Sequence, residues 1–303
     1  MNKKILIVGG TGFIGFNLAL GALKKGFKVT SLSSKKPNKY RFNKKIRYLI
    51  GDIRKKINLF KILEINSFDY VINASGYVNH IKKIDNYKTH YLGSKNLVDF
   101  FKKKKIKHFI NIGSSMEYGK SKSPQKENSK CNPLSYYGKS HYLASSYVLS
   151  THKKTNFPGT VVRLYQVYGP YQNTDRLIPY IIKNCLDKKE FNCSKGNQTR
   201  SFIFINDLVK IIFYLLNNKL SCGKIVNISN KKKIKVIKVI KLIRSNFKES
   251  YPIFNSVKLR DDEQLKTYPS LKNLLKLLDL KKFKFINLSQ GIKKTISHFK
   301  KYK

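Results

Sequence analysis

The sequence predicts an α/β chain: a doubly wound parallel sheet in the first half and a smaller C-terminal lobe for substrate. Three observations carry this. Short β-branched runs alternate with helical patterns up to about residue 165, the sign of parallel strands joined by crossover helices. A glycine-rich turn lies directly between the first of those runs and the first helical pattern. From about Gly169 the texture changes, and loops containing Pro170, Pro179 and Pro252 separate shorter elements. The 303 residues, 41% of them hydrophobic, suffice for one large or two medium domains with a core. We expect a dinucleotide-binding domain over 1–165 and a substrate lobe over 166–303.

Taken in order, the first strand runs from Lys4 to Val8. Its basic and apolar start resembles a secretory signal, but glycines follow at once and no small-residue cleavage site appears. Further strands are expected at Lys28 to Leu32, Ile46 to Leu49, Tyr70 to Asn73, His108 to Ile112 and Thr160 to Leu164. Between them, Phe13 to Lys25, His90 to Lys103 and Tyr137 to His152 carry apolar residues at spacings of three and four, the period of a helix with one buried face. A last helix, Leu288 to Lys300, closes the pattern. No apolar run approaches the roughly 18 to 20 residues of a membrane span, so no membrane partner is expected.

The charge balance is lopsided: 63 Lys+Arg against 16 Asp+Glu, a formal +47. Such a balance ordinarily points to polyanions. Here only eight of the basic residues are Arg, at 41, 47, 54, 163, 176, 200, 244 and 260, and the lysines are dispersed. Arg supplies the planar fork that phosphates and base edges select, so this Lys-rich surface argues against specific nucleic-acid recognition and leaves non-specific adhesion. Abundant Lys, Asn and Ile fit an A/T-rich coding bias. Cys131, Cys185, Cys193 and Cys222 show neither metal-ligand nor disulfide spacing. A cytoplasmic setting is the expectation.

The sharpest feature is Val8-Gly9-Gly10-Thr11-Gly12-Phe13-Ile14-Gly15. Glycines here let the chain turn tightly, admit a pyrophosphate without a Cβ in the way, and bring the helix close to the sheet. The helix N-terminus then offers free N–H groups and partial positive charge. We assign Gly9, Thr11, Gly12, Phe13, Ile14 and Gly15 to cofactor binding in a Rossmann-type domain. A carboxylate for the adenosine 2′-hydroxyl is expected about twenty residues on. Ser31-Leu-Ser33-Ser34-Lys35 stands there instead, and its hydroxyls and lysine favour a 2′-phosphate, hence NADP over NAD. Asp52 and Ile53 end the third strand, where a carboxylate can accept from the adenine amine. Ala74 and Gly76 end the fourth, where small residues let the cofactor pass.

These residues, with several later segments, resemble the extended short-chain dehydrogenase/reductases, the NAD-dependent epimerase/dehydratase family of nucleotide-sugar epimerases, dehydratases and 4-ketoreductases. The later segments are Ser114-Ser-Met-Glu-Tyr-Gly119, Pro133-Leu-Ser-Tyr-Tyr137-Gly-Lys-Ser-His141, Arg163-Leu-Tyr-Gln-Val-Tyr-Gly-Pro170 and Gly196-Asn-Gln-Thr-Arg200-Ser-Phe-Ile-Phe-Ile-Asn-Asp207. The resemblance runs through nearly the whole chain. It implies hydride transfer between nicotinamide and a sugar carbon, with Tyr137 as general acid/base and Ser114 bonded to the same substrate oxygen. It also implies that Arg200 and Arg260 hold the nucleotide diphosphate, and that the partner is a second copy in a homodimer.

Two departures refine this. His141 stands where the family has Lys, four residues after Tyr137 and on the same helix face. A neutral imidazole stabilises phenolate less than an ammonium does, leaving the phenol near its ordinary value of about 10. That impairs oxidation of an alcohol, where the tyrosine is the base, more than reduction of a ketone, where it is the acid. Met116 occupies the position of the dehydratases' acidic residue, and Glu117 is expected on the other side of an extended chain. Asp207 is expected to cap the helix after it. The reading is a reductase of a 4-keto-6-deoxysugar nucleotide, with a nucleotide-sugar 4-epimerase as the alternative. A cofactor-binding protein whose site has eroded at His141 is the alternative of another class.

Overall fold

The computed structural model describes residues 3–77, 82–278 and 283–301. The chain opens with β1 (Lys4–Val8), α1 (Phe13–Lys24), β2 (Lys28–Ser33), β3 (Arg47–Ile50), α2 (Lys56–Glu64) and β4 (Tyr70–Asn73). There follow α3 (Lys83–Asn86), a π-helical turn at Tyr87–Leu92, α4 (Gly93–Phe101), β5 (His108–Ser114), a 3₁₀ turn at Ser115–Tyr118, α5 (Tyr136–Thr155) and β6 (Gly159–Leu164). The rest is β7 (Gln166–Tyr168), α6 (Leu177–Leu186), β8 (Phe191–Asn192), β9 (Thr199–Phe204), α7 (Ile205–Leu216), β10 (Ile225–Ile228), β11 (Lys233–Lys235), α8 (Val236–Arg244), β12 (Pro252–Ile253), β13 (Lys266–Thr267), α9 (Lys272–Leu277) and α10 (Leu288–Lys300).

Seven parallel strands form the main sheet in the order β10-β6-β5-β4-β1-β2-β3. The chain therefore winds outward from β1 to β3, returns to β4 and winds the other way. This is the doubly wound fold expected, with its reversal between β1 and β4, where ligands bind outside the carboxyl ends of the strands. Burial follows the period of two that strands impose. On β1, Ile5 and Ile7 enter one core with Phe16, Leu18 and Ala22 of α1 and Leu208, Ile211 and Leu215 of α7. Leu6 and Val8 enter the other, with Leu59 and Leu63 of α2 and Leu97 and Phe101 of α4.

The C-terminal half builds a smaller sheet, β11-β9-β13 with β7 also paired to β9, and a short β8–β12 pair. It also contributes β10, hydrogen-bonded beside β6, so the first layer draws on residues beyond 165. Pro179 lies inside α6 rather than in a loop, at the third helical position, where a missing N–H costs nothing because that N–H has no partner within the helix. Asp207 does not cap its own helix: it is the third residue of α7 and fully buried, and its Oδ2 accepts from Ile286 N at 2.7 Å. It ties the segment before α10 to the body instead. No helix among the described residues is long and apolar enough to cross a membrane.

Candidate active site

At the end of β1 the chain turns on Gly9, whose φ of +77° is in the left-handed region glycine favours. A Cβ at Gly9 would lie 2.6 Å from Ala74 O, and one at Gly15 would lie 2.2 Å from Gly9 O. The turn is thus wedged between β1, β4 and α1 with no space for side chains. Gly12 caps α1 without a side-chain bond, and the first turn of the helix carries no acidic residue. Its leading N–H groups therefore face the crevice uncapped by protein carboxylate. A cradle of backbone alone, with free N–H groups and no opposing carboxylate, has the chemistry to accept a pyrophosphate.

Around the turn, Ser33 Oγ accepts from Thr11 N at 3.3 Å, while Ser34 and Lys35 are exposed at the end of β2. Asp52 takes both oxygens to Arg54, at 2.8 to 3.0 Å, and the Arg54 bonds hold its carboxyl below the usual range. The carboxylate reserved for adenine thus already carries a counter-ion. Ile53 packs its side chain beneath Gly93, with its carbonyl taken by Asn96 Nδ2 at 2.8 Å. Ala74 and Gly76 follow β4 at the crevice mouth.

Arg41 enters the same region unforeseen. It donates from Nε to Tyr171 O at 3.0 Å and from Nη1 to Thr11 O at 3.4 Å, and its side chain also meets Asn173. It straps the loop after β2 to the glycine turn and to the loop after β7. Its rarity as one of eight arginines was the available sequence signal.

Ser114 ends β5 and Tyr137 lies in the first turn of α5, where Ser135 Oγ caps the helix by accepting from Gly138 N at 3.2 Å. Tyr137 and Ser114 share a hydrogen bond. Burial pushes the Tyr137 phenol above its ordinary value, against the opposing effects of Ser114 and the charge of Arg176, so it stands higher than the sequence led us to expect. His141 lies against it, with ring centroids 4.6 Å apart, and His90 from the π-helical turn stacks on His141 at 3.9 Å. His90 also meets Tyr137 edge-on at 5.1 Å. Nothing in linear spacing announced His90. Lys139 lies away from the phenol, over the Tyr136 ring.

Ser115–Tyr118 is a 3₁₀ turn and not an extended chain, so the expected alternation of Met116 and Glu117 does not apply. Glu117 instead folds inward as a buried acceptor, with Oε1 receiving Ser114 N at 2.9 Å and Oε2 receiving Arg163 Nε at 2.8 Å. Arg200 and Arg260 come together on one cavity of about 370 Å³ between α6, β9 and the 257–263 segment, with Arg176 on its wall. Each also has a carboxylate partner. Arg200 is buried and bonds Glu263 at 2.7 Å; Arg260 is exposed and bonds Asp262 at 3.0 Å.

Residues 5–229 match the model of the NAD dependent epimerase/dehydratase family. The CDP-abequose synthase of Salmonella muenchen is 26% identical over 310 residues, covering 98% of each chain. The UDP-N-acetyl-alpha-D-glucosaminuronate decarboxylase of Bacillus cytotoxicus is 27% identical over 330 residues, covering 99% of this chain and 98% of that one. The UDP-glucuronic acid 4-epimerase of Bacillus cereus, solved with UDP-glucuronic acid and NAD, superposes with a TM-score of 0.88 at 24% identity, covering 99% of this chain and all of that one. The three names carry three different activities, so likeness alone does not select among them.

Proposed function

The chain belongs to the NAD dependent epimerase/dehydratase family, and within it we propose that the protein reduces the keto group of a 4-keto-6-deoxysugar nucleotide, with NADPH preferred to NADH. One observation carries the reading. The Tyr137 hydroxyl is bonded to Ser114, its ring packs against those of His141 and His90, and burial raises its pKa. A phenol so placed keeps its proton, which is the state required to protonate a ketone oxygen and the wrong state to begin by deprotonating an alcohol.

The bound reduced dinucleotide would supply the hydride to C4. Ser114 fixes the carbonyl oxygen by hydrogen bonding as negative charge grows on it. Tyr137 delivers the proton that completes the alcohol and regains one from solvent between turnovers. Gly9 to Gly15 would hold the pyrophosphate, and the lack of a carboxylate at Ser33, Ser34 and Lys35 supports the 2′-phosphate. Arg200, Arg260 and Arg176 on a shared cavity support a nucleotide diphosphate there. Tyr142 and Leu143 of α5 and Ile84 of α3, all exposed, mark the face on which a second copy would pack as a homodimer.

The experiment is NADPH consumption against a panel of 4-keto-6-deoxysugar nucleotides. We expect one equivalent oxidised per sugar reduced, and a loss of at least about 10²-fold in Tyr137→Phe. Failure of the whole panel, with a UDP-hexose interconverted at C4 and its NAD retained, would replace the reductase with the epimerase.

A further inference from the structure

Beneath the reacting groups lies a sealed polar pair that the mechanism above does not use. Glu117 is fully buried and Arg163 is 2% exposed. The pair reaches the site through Ser114: Glu117 Oε1 accepts the Ser114 backbone N–H at 2.9 Å, and Ser114 Oγ in turn accepts from Met116 N at 3.2 Å. Gly113 admits the carboxylate, since a Cβ there would fall 2.4 Å from Glu117 Oε1. On the far side the Arg163 guanidinium lies 4.4 Å over the Tyr118 ring, whose hydroxyl donates to Asn227 Oδ1 on β10 at 2.8 Å. Cys131 and Tyr165 also feel this pair electrostatically. A buried ion pair seldom adds stability over apolar packing of the same volume, so its presence here asks for another role.

We propose that Glu117, held by Arg163, is a positioning residue: it locks the end of β5 so that the Ser114 hydroxyl stays on Tyr137, and it sets a fixed negative charge behind the phenol. The inference rests on the ketone-reducing reading for its catalytic consequence. Among the described residues, the groups around Tyr137 are Ser114 from β5, His141 from its own helix, His90 from the π-helical turn, Glu117 from the 3₁₀ turn and Arg176 from the start of α6. Arg176 favours phenolate, whereas Glu117 works with burial to keep the proton on. The same carboxylate thus sets both the position of one partner and the protonation of the other.

The test is Glu117→Gln in the full chain, which keeps an acceptor for the Ser114 N–H and removes the charge. Phenolate absorbance in the ultraviolet, taken as the difference from the same protein carrying Tyr137→Phe, reports the Tyr137 titration without any substrate. We expect it to move down by at least about half a unit and kcat to fall about fivefold, with KM and NADPH affinity within about twofold. An unmoved titration, or a change in KM alone, overturns the proposal. Should the lone Arg163 prevent folding, E117M/R163M removes both charges. There kcat is expected to stay about fivefold down at unchanged NADPH affinity, and wild-type kcat would overturn the proposal. A shifted titration in a protein that turns over no keto sugar supports this inference while sinking the functional reading.

Discussion

On the proposed reading, Tyr137 and His141 would decide the direction of the chemistry. In His141→Lys an ammonium would stand beside the phenol and stabilise its anion. The alkaline limb of kcat for ketone reduction is then expected to move down by about one unit, while oxidation of the alcohol product gains several-fold relative to reduction. The pH profile in both directions checks this. A negligible native rate restored only by His141→Lys would instead mark the natural protein as a cofactor binder. At this scale the contact between Tyr137 and His141 was legible, because a spacing of four fixes which residues share a helix face. The sequence could not name His90, which arrives from a different helix and stacks at 3.9 Å, nor Arg41, whose partners lie 30 and 130 residues away. Glu117 was legible as a local hydrogen-bond acceptor or rim residue rather than a catalyst, and it is an acceptor, from Ser114 N. Its pairing with Arg163 depends on the neighbouring strand β6, and the 3₁₀ turn that aims it inward depends on the carboxylate reaching back to Ser114 N.

Elements whose signal is local were read closely: β1, β4 and α10 fall on the expected residues, and α1 ends one residue early. The glycine turn between β1 and α1 is the element to which we assign cofactor binding. In Gly9→Ala a Cβ would meet Ala74 O at 2.6 Å, with the backbone already at a positive φ. NADPH affinity, read by fluorescence titration, is expected to fall by at least about tenfold, with stability down by about 1 to 3 kcal/mol. Unchanged affinity would place the pyrophosphate elsewhere. Among the elements to which the sequence reading gave no range, β10 belongs to the main sheet. Its four residues, Ile225–Ile228, lie in a stretch whose texture suggested a separate lobe, and only the open edge of β6 gives them a place. Pairing across about sixty residues of chain is a tertiary fact that periodicity does not encode.

For the whole molecule, the formal +47 says little about fold, and acid stability turns on a few buried groups. His108 is buried between Leu216 O at 3.0 Å and Thr160 Oγ1 at 2.8 Å, and burial lowers its pKa to about 4. The folded state therefore disfavours the charged ring, while the unfolded chain takes up a proton below about pH 6.5. Stability is full above that pH and is lost as pH falls towards 4, by up to about 3 kcal/mol from this group. Denaturant unfolding at the two ends of that window checks it, and His108→Gln should flatten the difference. Asp99 acts lower in the range. Although burial opposes it, bonds from Lys102, Lys95 and Tyr147 hold Asp99 down to about 2, so its contribution fades only between about pH 4 and 2. The doubly wound sheet, legible from its alternating pattern, carries the glycine turn at the end of β1 and Ser114, the neighbour of the Tyr137 phenol, at the end of β5; on the proposed reading, hydride passes from the dinucleotide to the sugar beside them. The most direct measurement uses NADPH carrying deuterium at the transferable position of the nicotinamide, with a 4-keto-6-deoxysugar nucleotide as acceptor and mass and proton spectra of the product. We expect one deuterium at C4 of each reduced sugar; a product isomerised at C4 with the label still on the dinucleotide would contradict hydride transfer to a ketone.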